Sequence, residues 1–355
     1  MRKYLLGEKG HFYKANLHCH STKSDGKLTP EELKEAYRKK GYSVLAYSDH
    51  DALHCNYELT DSEFLALTAY EISIRNEDNP NPHAFQKIVD LNLIAKEPYH
   101  LTQVGYHPET VSWLVRRGKM NMEQVNDIKY VGPLRDLHIY PANINRIIKS
   151  ANDNGFLVCI NHSNWNLTNF SDYGCFEGAW AIEIYNHGTY ALSGLPDSET
   201  VYDDILRSGK YLYCIATDDN HNSYPFDDYK SDSFGGFTMI EASGLDYASI
   251  IQALEKGHFY ASTGPEIYQL YYEDGIIHIE CSPCADICMT TLGRKGDRAA
   301  SPDGTFITSA DFKVDPELFG AVRFRITDVT GKKAYTNAYY VDELDESATP
   351  RRVIL

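Results

Sequence analysis

Residues 16–26 read Asn-Leu-His-Cys-His-Ser-Thr-Lys-Ser-Asp-Gly. An apolar run at 14–17 enters this stretch and a helix signal leaves it. Thr29 is placed to cap that helix, Pro30 takes its first position, and Glu32 completes a capping box. Leu33, Ala36 and Tyr37 then share one face, and Gly41 ends the helix. The same unit of apolar run, polar cluster and amphipathic helix recurs along the chain. Residues 43–47 read as a buried strand ending in Ser48-Asp49-His50-Asp51, and 64–69 as another ending near Glu71. Further strands at 89–95, 156–160, 181–185 and 211–216 follow. The last three end in Asn161-His162, Asn186-His187 and Thr217-Asp218-Asp219-Asn220-His221. Between them, Ile144, Ile147, Ile148 and Ala151 mark one helix, Val201, Ile205 and Leu206 a second, and 249–255 a last one stopped by Gly257. Residues 97–140 carry no clear period. Strands alternating with helices predict a parallel sheet with helical crossovers, and such folds carry their functional groups at the carboxyl ends of the strands.

After Thr263-Gly264-Pro265 the texture changes. Residues 268–272, 276–281, 321–327 and 338–341 read as strands, with turns at Glu273-Asp274-Gly275 and Thr330-Gly331. The expectation is two units. Residues 1–263 form an α/β barrel, and residues 264–355 form a small antiparallel β-sandwich-like domain packed against it, with its own core and no metal. Cys281, Cys284 and Cys288 form a Cys-x-x-Cys-x-x-x-Cys run, but three thiols without a near fourth partner make a poor metal site.

The chain has 355 residues, with 34 Lys plus Arg against 50 Asp plus Glu, a formal net charge of -16. So negative a surface repels phosphate backbones and anionic lipid, which argues against general nucleic-acid or membrane binding. Neither a signal-like leader nor a run of roughly 18 apolar residues is present. Eight scattered cysteines fit reduced thiols. Together these point to a cytoplasmic protein, with homo-oligomerisation left open.

His18 and His20 project to the same side of a strand end, because side chains alternate with period two. Alone, a His-x-His is as compatible with a polar strand end as with a metal, and Asp25 in Ser-Asp-Gly reads first as a turn former. The conjunction is different. Histidines and carboxylates at separate strand ends would converge on one rim, where their repulsion and desolvation cost several kcal/mol unless cations compensate them. Imidazole nitrogen with carboxylate oxygen suits Zn, Mn or Fe better than Ca.

These ordered segments, Asn16 to Ser21 with Ser24-Asp25-Gly26, Ser48 to Asp51, Glu71-Ile72-Ser73, Asn161-His162 and Asp219-Asn220-His221, resemble the PHP (polymerase and histidinol phosphatase) family over residues 16 to about 221. The resemblance implies a distorted barrel of seven strands with helices outside, a cluster of two or three divalent ions, and hydrolysis of phosphate esters. It assigns His18, His20, Glu71 and Asp219 to one metal. Glu71 bridges to a second that also takes His162, and Asp25, His50 and His221 hold a third. Glu71 and Asp219 are the implied catalytic carboxylates. Asp219 is preferred to Asp218 because it alone lies two residues before His221. The family has a histidine opening the strand after the glutamate; here Asp90 stands in that place, preferred as a ligand over His83 in its Pro- and Asn-rich loop. The expected substrate is a small phosphorylated molecule. Amide or lactone hydrolysis on the same metals is the first alternative, and a non-catalytic metal-binding protein whose β domain does the binding is the second. Arg116, Arg135, Trp165, Tyr185 and His187 are candidates to shape the cleft, with solvated or core roles the competing readings.

Overall fold

A computed structural model describes residues 2–8, 10–76 and 80–345, so residues 346–355 of the expected second unit lie outside it. Seven strands stand side by side: β1 His11–Asn16, β2 Val44–Tyr47, β3 Leu65–Arg75, β4 Ile88–Ala95, β5 Phe156–Ile160, β6 Ala181–Asn186 and β7 Tyr213–Thr217. Helices on the outside cover them with the apolar faces expected from the sequence. Pro30–Lys39 starts on the Thr29–Glu32 capping box and buries Leu33 and Tyr37. Pro141–Asp153 buries Ile144, Ile147, Ile148 and Ala151, and Glu199–Arg207 buries Val201, Ile205 and Leu206.

The sheet is not wholly parallel. β1–β2–β3 and β5–β6–β7 pair in parallel, but β4 runs antiparallel to both β3 and β5. Among the described residues between Arg75 and Ile88 there is only the single 3-10 turn His83–Phe85 and no crossover α-helix, and the chain returns alongside β3. This reversal places the start of β4, where Asp90 sits, at the rim reached by the ends of the other strands. β3 is also longer than 64–69. Glu71 lies inside it, opposite Asn92, instead of following it.

Two strands absent from the sequence reading complete the barrel. β8 Phe237–Ala242 pairs antiparallel with β1, and β9 Phe259–Ser262 pairs with β8. β8 meets β7 through Thr238, whose hydroxyl bridges the amide and carbonyl of Ala216. At the rim, β1 and β7 join directly. Cys19 bridges Asn220, the His20 amide donates to the Asn220 carbonyl at 3.1 Å, and the Asp219 amide to the His18 carbonyl at 3.0 Å. The motif loops at the two ends of the barrel sequence are therefore zipped together.

The C-terminal region is antiparallel and sandwich-like, as expected. A four-stranded sheet formed by Lys3–Tyr4, Ile267–Glu273, Ile276–Cys284 and Ile307–Lys313 faces strands Asp286–Thr291, Gly296–Ala300, Ala321–Thr327 and Lys333–Thr336. Leu270, Ile277, Ile279 and Phe312 pack between them against Ile287, Met289, Phe324 and Ile326, with Phe312 and Phe324 ring to ring at 5.3 Å. The turn at Asp274-Gly275 has both residues at positive φ, 49° and 84°, the left-handed pair that tight hairpins require. Cys281 and Cys284 face each other inside, their sulfurs 3.7 Å apart.

The two regions share one structure. Lys333–Thr336 pairs with β9, so the barrel sheet continues without a break into the second region. The apolar cluster inside the sandwich also takes in Leu33, Tyr37 and Tyr47 of the barrel. An expected independent core at 264–355 is thus replaced by a continuous one. Strand Lys3–Tyr4, assigned by the sequence to the first unit, pairs with the second. Ion pairs finish the contact. Buried Arg323 donates to Asp203 at 2.7 Å and Glu199 at 2.9 Å, both on the barrel helix Glu199–Arg207. Among the described residues no helix is long and apolar enough to cross a membrane. Arg323→Met should lower the unfolding free energy by about 2 kcal/mol, because it removes two charged hydrogen bonds while Glu199 keeps Arg325 at 3.0 Å and Asp203 keeps Arg207 at 3.5 Å. Urea denaturation of the whole chain measures it.

Candidate metal centre

The β1 end places His18 and His20 on one side of the strand, both fully buried. His18 Nε2, His20 Nε2, Glu71 Oε2 and Asp219 Oδ1 form a compact group. His18 lies 3.0 Å from His20, 3.5 Å from Glu71 and 3.1 Å from Asp219, while His20 lies 3.3 Å from Glu71 and 3.1 Å from Asp219. Four ligands around an ion at 2.0–2.1 Å would be separated by about 3.3–3.4 Å, the edge of a tetrahedron. The spacing fits one small divalent ion.

Two more groups adjoin it. His162 Nε2 lies 3.6 Å from Glu71 Oε1 and 3.6 Å from Asp219 Oδ2. Asp25 faces His221 at 3.4 Å and His20 and His50 at 3.9 Å each. Ligand atoms of His20, Asp25, His50 and His221 fall together, as do those of His18, Glu71 and His162, and those of His18, His20 and Asp219. His20 and His50 stack at 4.4 Å, and His20 and His221 at 4.3 Å. A neutral imidazole has a single lone pair, so His20, which touches two groups, serves one at a time. The buried Nδ1 atoms of His20 and His162 have no hydrogen-bond partner.

Asp90 is buried beside this cluster and accepts from Ser73 Oγ at 2.5 Å, with its other oxygen 3.9 Å from His162 Nδ1. His83 lies in an exposed turn, its ring 6.3 Å from Trp165. All nine candidate residues therefore meet at one rim, with Asp90 at its edge and His83 outside it.

The electrostatics show how strained the rim is. Burial opposes charge on His18, but Asp219, Glu71 and Glu183 reverse that and lift its pKa well above the ordinary value. His50 is lifted to about 10 against burial, mainly by Glu71, and His162 to about 9 against burial by Glu71 and Asp219. Glu71 would be raised by burial, yet His18 and His50 hold it well below the usual range. Burial and the Glu71 charge push Asp90 up to about 7.

Sequence reasoning missed Glu183. It sits inside β6, fully buried, and accepts from four groups: His18 Nδ1 at 2.7 Å, Thr217 Oγ1 at 2.6 Å, the His162 amide at 2.8 Å and Asn186 Nδ2 at 2.9 Å. It fixes the proton of His18 on Nδ1 and turns Nε2 toward the cluster. A lone glutamate two residues into an apolar strand, at 181–185, was its signal. Asn161 was quoted only as a neighbour of His162, but its amide donates to Glu71 Oε1 at 2.7 Å. Asp218 is separated from Asp219 as expected. It accepts from Tyr37 Oη at 2.8 Å and from the amides of Phe234, Gly235 and Gly236 at 2.7–2.9 Å, so its lone pairs are used.

A cavity of about 830 Å³ opens onto the cluster. Asp25, His50, Glu71, His162, Asp219 and His221 line its floor, and Arg75, Arg116, Arg117, Trp113, Trp165 and Leu192 line its sides. Arg116 and Trp113 come from helix Pro108–Arg116, in the stretch where the sequence showed no period. Arg135 is buried and bound to Asp51 at 3.1 Å, not free for a ligand. Tyr185 and His187 bond to each other at 2.9 Å and are not among the lining residues.

No protein-family model matches the chain. Over 93% of its length it is similar to a solved two-domain protein of Bacteroides vulgatus containing a predicted PHP-like metal-dependent phosphoesterase, at 14% identity and a TM-score of 0.41, covering 95% of that chain. Over 58% it is similar to an amidohydrolase of Chromobacterium violaceum solved with bound sulfate and no metal, at 18% identity and a TM-score of 0.35, covering 87% of that chain. A 40-residue segment, 11% of this chain, is 52% identical to the 5'-3' exoribonuclease of Haemophilus influenzae. The chain spans 15% of that relative's length. Replacing Glu183 by Gln keeps its shape but removes the charge and turns one of its two acceptor oxygens into an NH2 donor, so the four donors it holds, His18 Nδ1 among them, can no longer all be satisfied. Metal affinity should fall by roughly 10–100-fold, read by titrating zinc or manganese into metal-free protein, with the far-UV spectrum unchanged.

Proposed function

We propose that this protein is a metal-dependent hydrolase of small phosphate esters. The observation that carries the reading is the carboxylate of Glu71. Its Oε2 faces His18, His20 and His50 at 3.5, 3.3 and 3.0 Å, while its Oε1 faces His162 at 3.6 Å. One carboxylate thus presents its two oxygens to two different sets of nitrogens, the arrangement of a bridge between ions. With Nε2 of His20 and His162 turned into the cluster, their protons sit on Nδ1, 3.9 Å from the carboxylates of Asp25 and Asp90 respectively. In this reading His18, His20, Glu71 and Asp219 hold one ion, Glu71 with His162 and Asp90 a second, and Asp25, His50 and His221 a third. The nitrogen and oxygen donor set suits Zn, Mn or Fe.

Divalent ions, when bound, supply Lewis acidity toward phosphoryl oxygens and lower the pKa of a coordinated water to about 7. The chain's own residues supply the rest. Glu183 holds the His18 proton on Nδ1, and Asn161 holds Glu71 in its plane. Asn186 donates to Asp219 Oδ2 at 3.2 Å and keeps that carboxylate turned inward. Arg75, Arg116 and Arg117 stand on the sides of the cavity above its carboxylate-rich floor, and together with ions held at that floor they would favour an anionic substrate over a neutral amide or lactone. The volume lies within the range of small-molecule sites, about 300–1,000 Å³.

Metal analysis of the purified protein, followed by a panel of phosphomonoesters, phosphodiesters, amides and lactones, tests the reading. Turnover confined to the amides or lactones would sink it. Glu71→Gln should lose at least one metal and at least about 100-fold in turnover. Asp51→Asn should keep the full metal count but lose stability, since the Asp51 carboxylate accepts from Arg135 and Trp113 and makes no hydrogen bond to the His50 ring.

A further inference from the structure

The strand Lys333–Thr336 and the residue after it touch two separate parts of the site's frame. On one side Lys333 Nζ donates to Asp197 Oδ2 at 2.7 Å and Tyr335 Oη to the same oxygen at 2.9 Å. Asp197 closes the segment that begins with helix His187–Ser193, whose Gly188, Thr189, Leu192 and Ser193 line the cavity. The backbone carbonyls of Pro196 and Asp197 also accept from the side-chain amide of Asn164, at 3.2 and 3.4 Å. Asn164 stands between His162 and Trp165, which line the cavity as well. On the other side Asn337, buried, accepts from the Cys214 amide at 3.0 Å and donates to the carbonyls of Gly257 and Phe259 at 3.1 and 3.0 Å. Cys214 belongs to β7, the strand that delivers Asp219.

The physical consequence is directional. Burial raises the Asp197 carboxyl, and Lys333, with Tyr335 and the Glu199 amide, brings it below its ordinary value, so the β region contributes to holding the charge. The cavity wall at 187–198 is tied at its start by Asn186, whose side chain caps Thr189 and holds Glu183, and at its end by Asp197. The barrel also holds that end, through the Ser198 amide on the Ile184 carbonyl at 2.7 Å and through Asn164, so Lys333 and Tyr335 add a tie from the β region to those the barrel supplies. Each tie lost lets such a segment open locally more often.

We propose that Lys333 and Tyr335 are positioning residues of the site: the β region holds the wall 187–198 over the candidate metal centre and thereby sets affinity for the phosphate ligand. The word phosphate rests on the function proposed above; the holding of the wall does not.

The test uses the full chain loaded with metal and a Lys333→Met, Tyr335→Phe double variant, with Lys333→Met alone as the milder change. Hydrogen exchange is read peptide by peptide, and inorganic phosphate is titrated as the probe. Exchange across 187–198 should become about tenfold faster in the double variant, and less so in the single, while 65–75 and the metal content stay as in the parent. Phosphate affinity should fall about tenfold. Unchanged exchange at 187–198 in a folded, metal-replete variant overturns the proposal, and so does faster exchange with phosphate affinity intact. If the parent itself binds no phosphate, the phosphate reading fails, and exchange alone then decides whether the strap holds the wall. If the double variant fails to fold, the single one is read by the same criteria.

Discussion

Four carboxylates, Glu71, Glu183, Asp218 and Asp219, are driven by the barrel topology to one rim, the first three buried and Asp219 partly exposed on the cavity floor, and each has to find compensation there. How each finds it separates frame from chemistry. Asp218 takes three backbone amides and a tyrosine hydroxyl, and Glu183 takes an imidazole N–H, a hydroxyl, an amide and a side-chain amide. Both are saturated. Glu71 and Asp219 instead face imidazole nitrogens, with a single side-chain amide each, from Asn161 and Asn186. An imidazole can answer a carboxylate by taking a proton, as the raised pKa of His50 and His162 shows, or it can share a cation with it. Metal binding exchanges the first answer for the second. The saturated carboxylates have no such choice, and so they build the frame.

Much of this was legible in the sequence. The seven barrel strands and the capped helix at Pro30 follow from periodicity, and the convergence of His18, His20, Asp25, His50, Glu71, His162, Asp219 and His221 from polar clusters at strand ends taken together with the family resemblance. What escaped has a physical reason in each case. The reversal at β4 is invisible because a fully buried strand reads the same in either direction. Strands β8 and Lys333–Thr336 are decided by pairing with partners distant in the chain. Glu183 was hidden because a glutamate in an apolar strand shows its role only once His18 is known to lie against it. The tyrosines likewise make sense only in space. Buried Tyr42, Tyr47, Tyr70 and Tyr247 donate across the core to the carbonyls of Gly236, Pro30, Val104 and Ala95, fastening segments far apart in the chain.

The continuity between the two regions changes what a domain boundary means here. The expected division at 263/264 falls between β9 and Ile267–Glu273, in a true turn, yet β9 has partners on both sides of it. β9 is the strand through which the barrel sheet becomes the sandwich sheet. The apolar cores merge behind it, so burial that would close the barrel is provided by residues beyond residue 264. The barrel is completed by its neighbour, and its stability is not separable from that neighbour's.

The last link is conformational. Asp219 has φ of 51°, and Asp51, at the end of another motif, 59°, in a left-handed region that few non-glycine residues enter and that aspartate tolerates better than most. At Asp219 this turn is held from both sides, its amide donating to the His18 carbonyl at 3.0 Å and its own carbonyl accepting from His221 Nδ1 at 3.1 Å. A left-handed residue breaks the alternation of a strand, so two consecutive aspartates reach different surroundings. Asp218 turns back into amides 234–236 and locks the loop that follows, while Asp219 turns in among the imidazoles. Strain of this kind persists only where the surroundings over-determine it, and here they do so through the residues that would hold the ions.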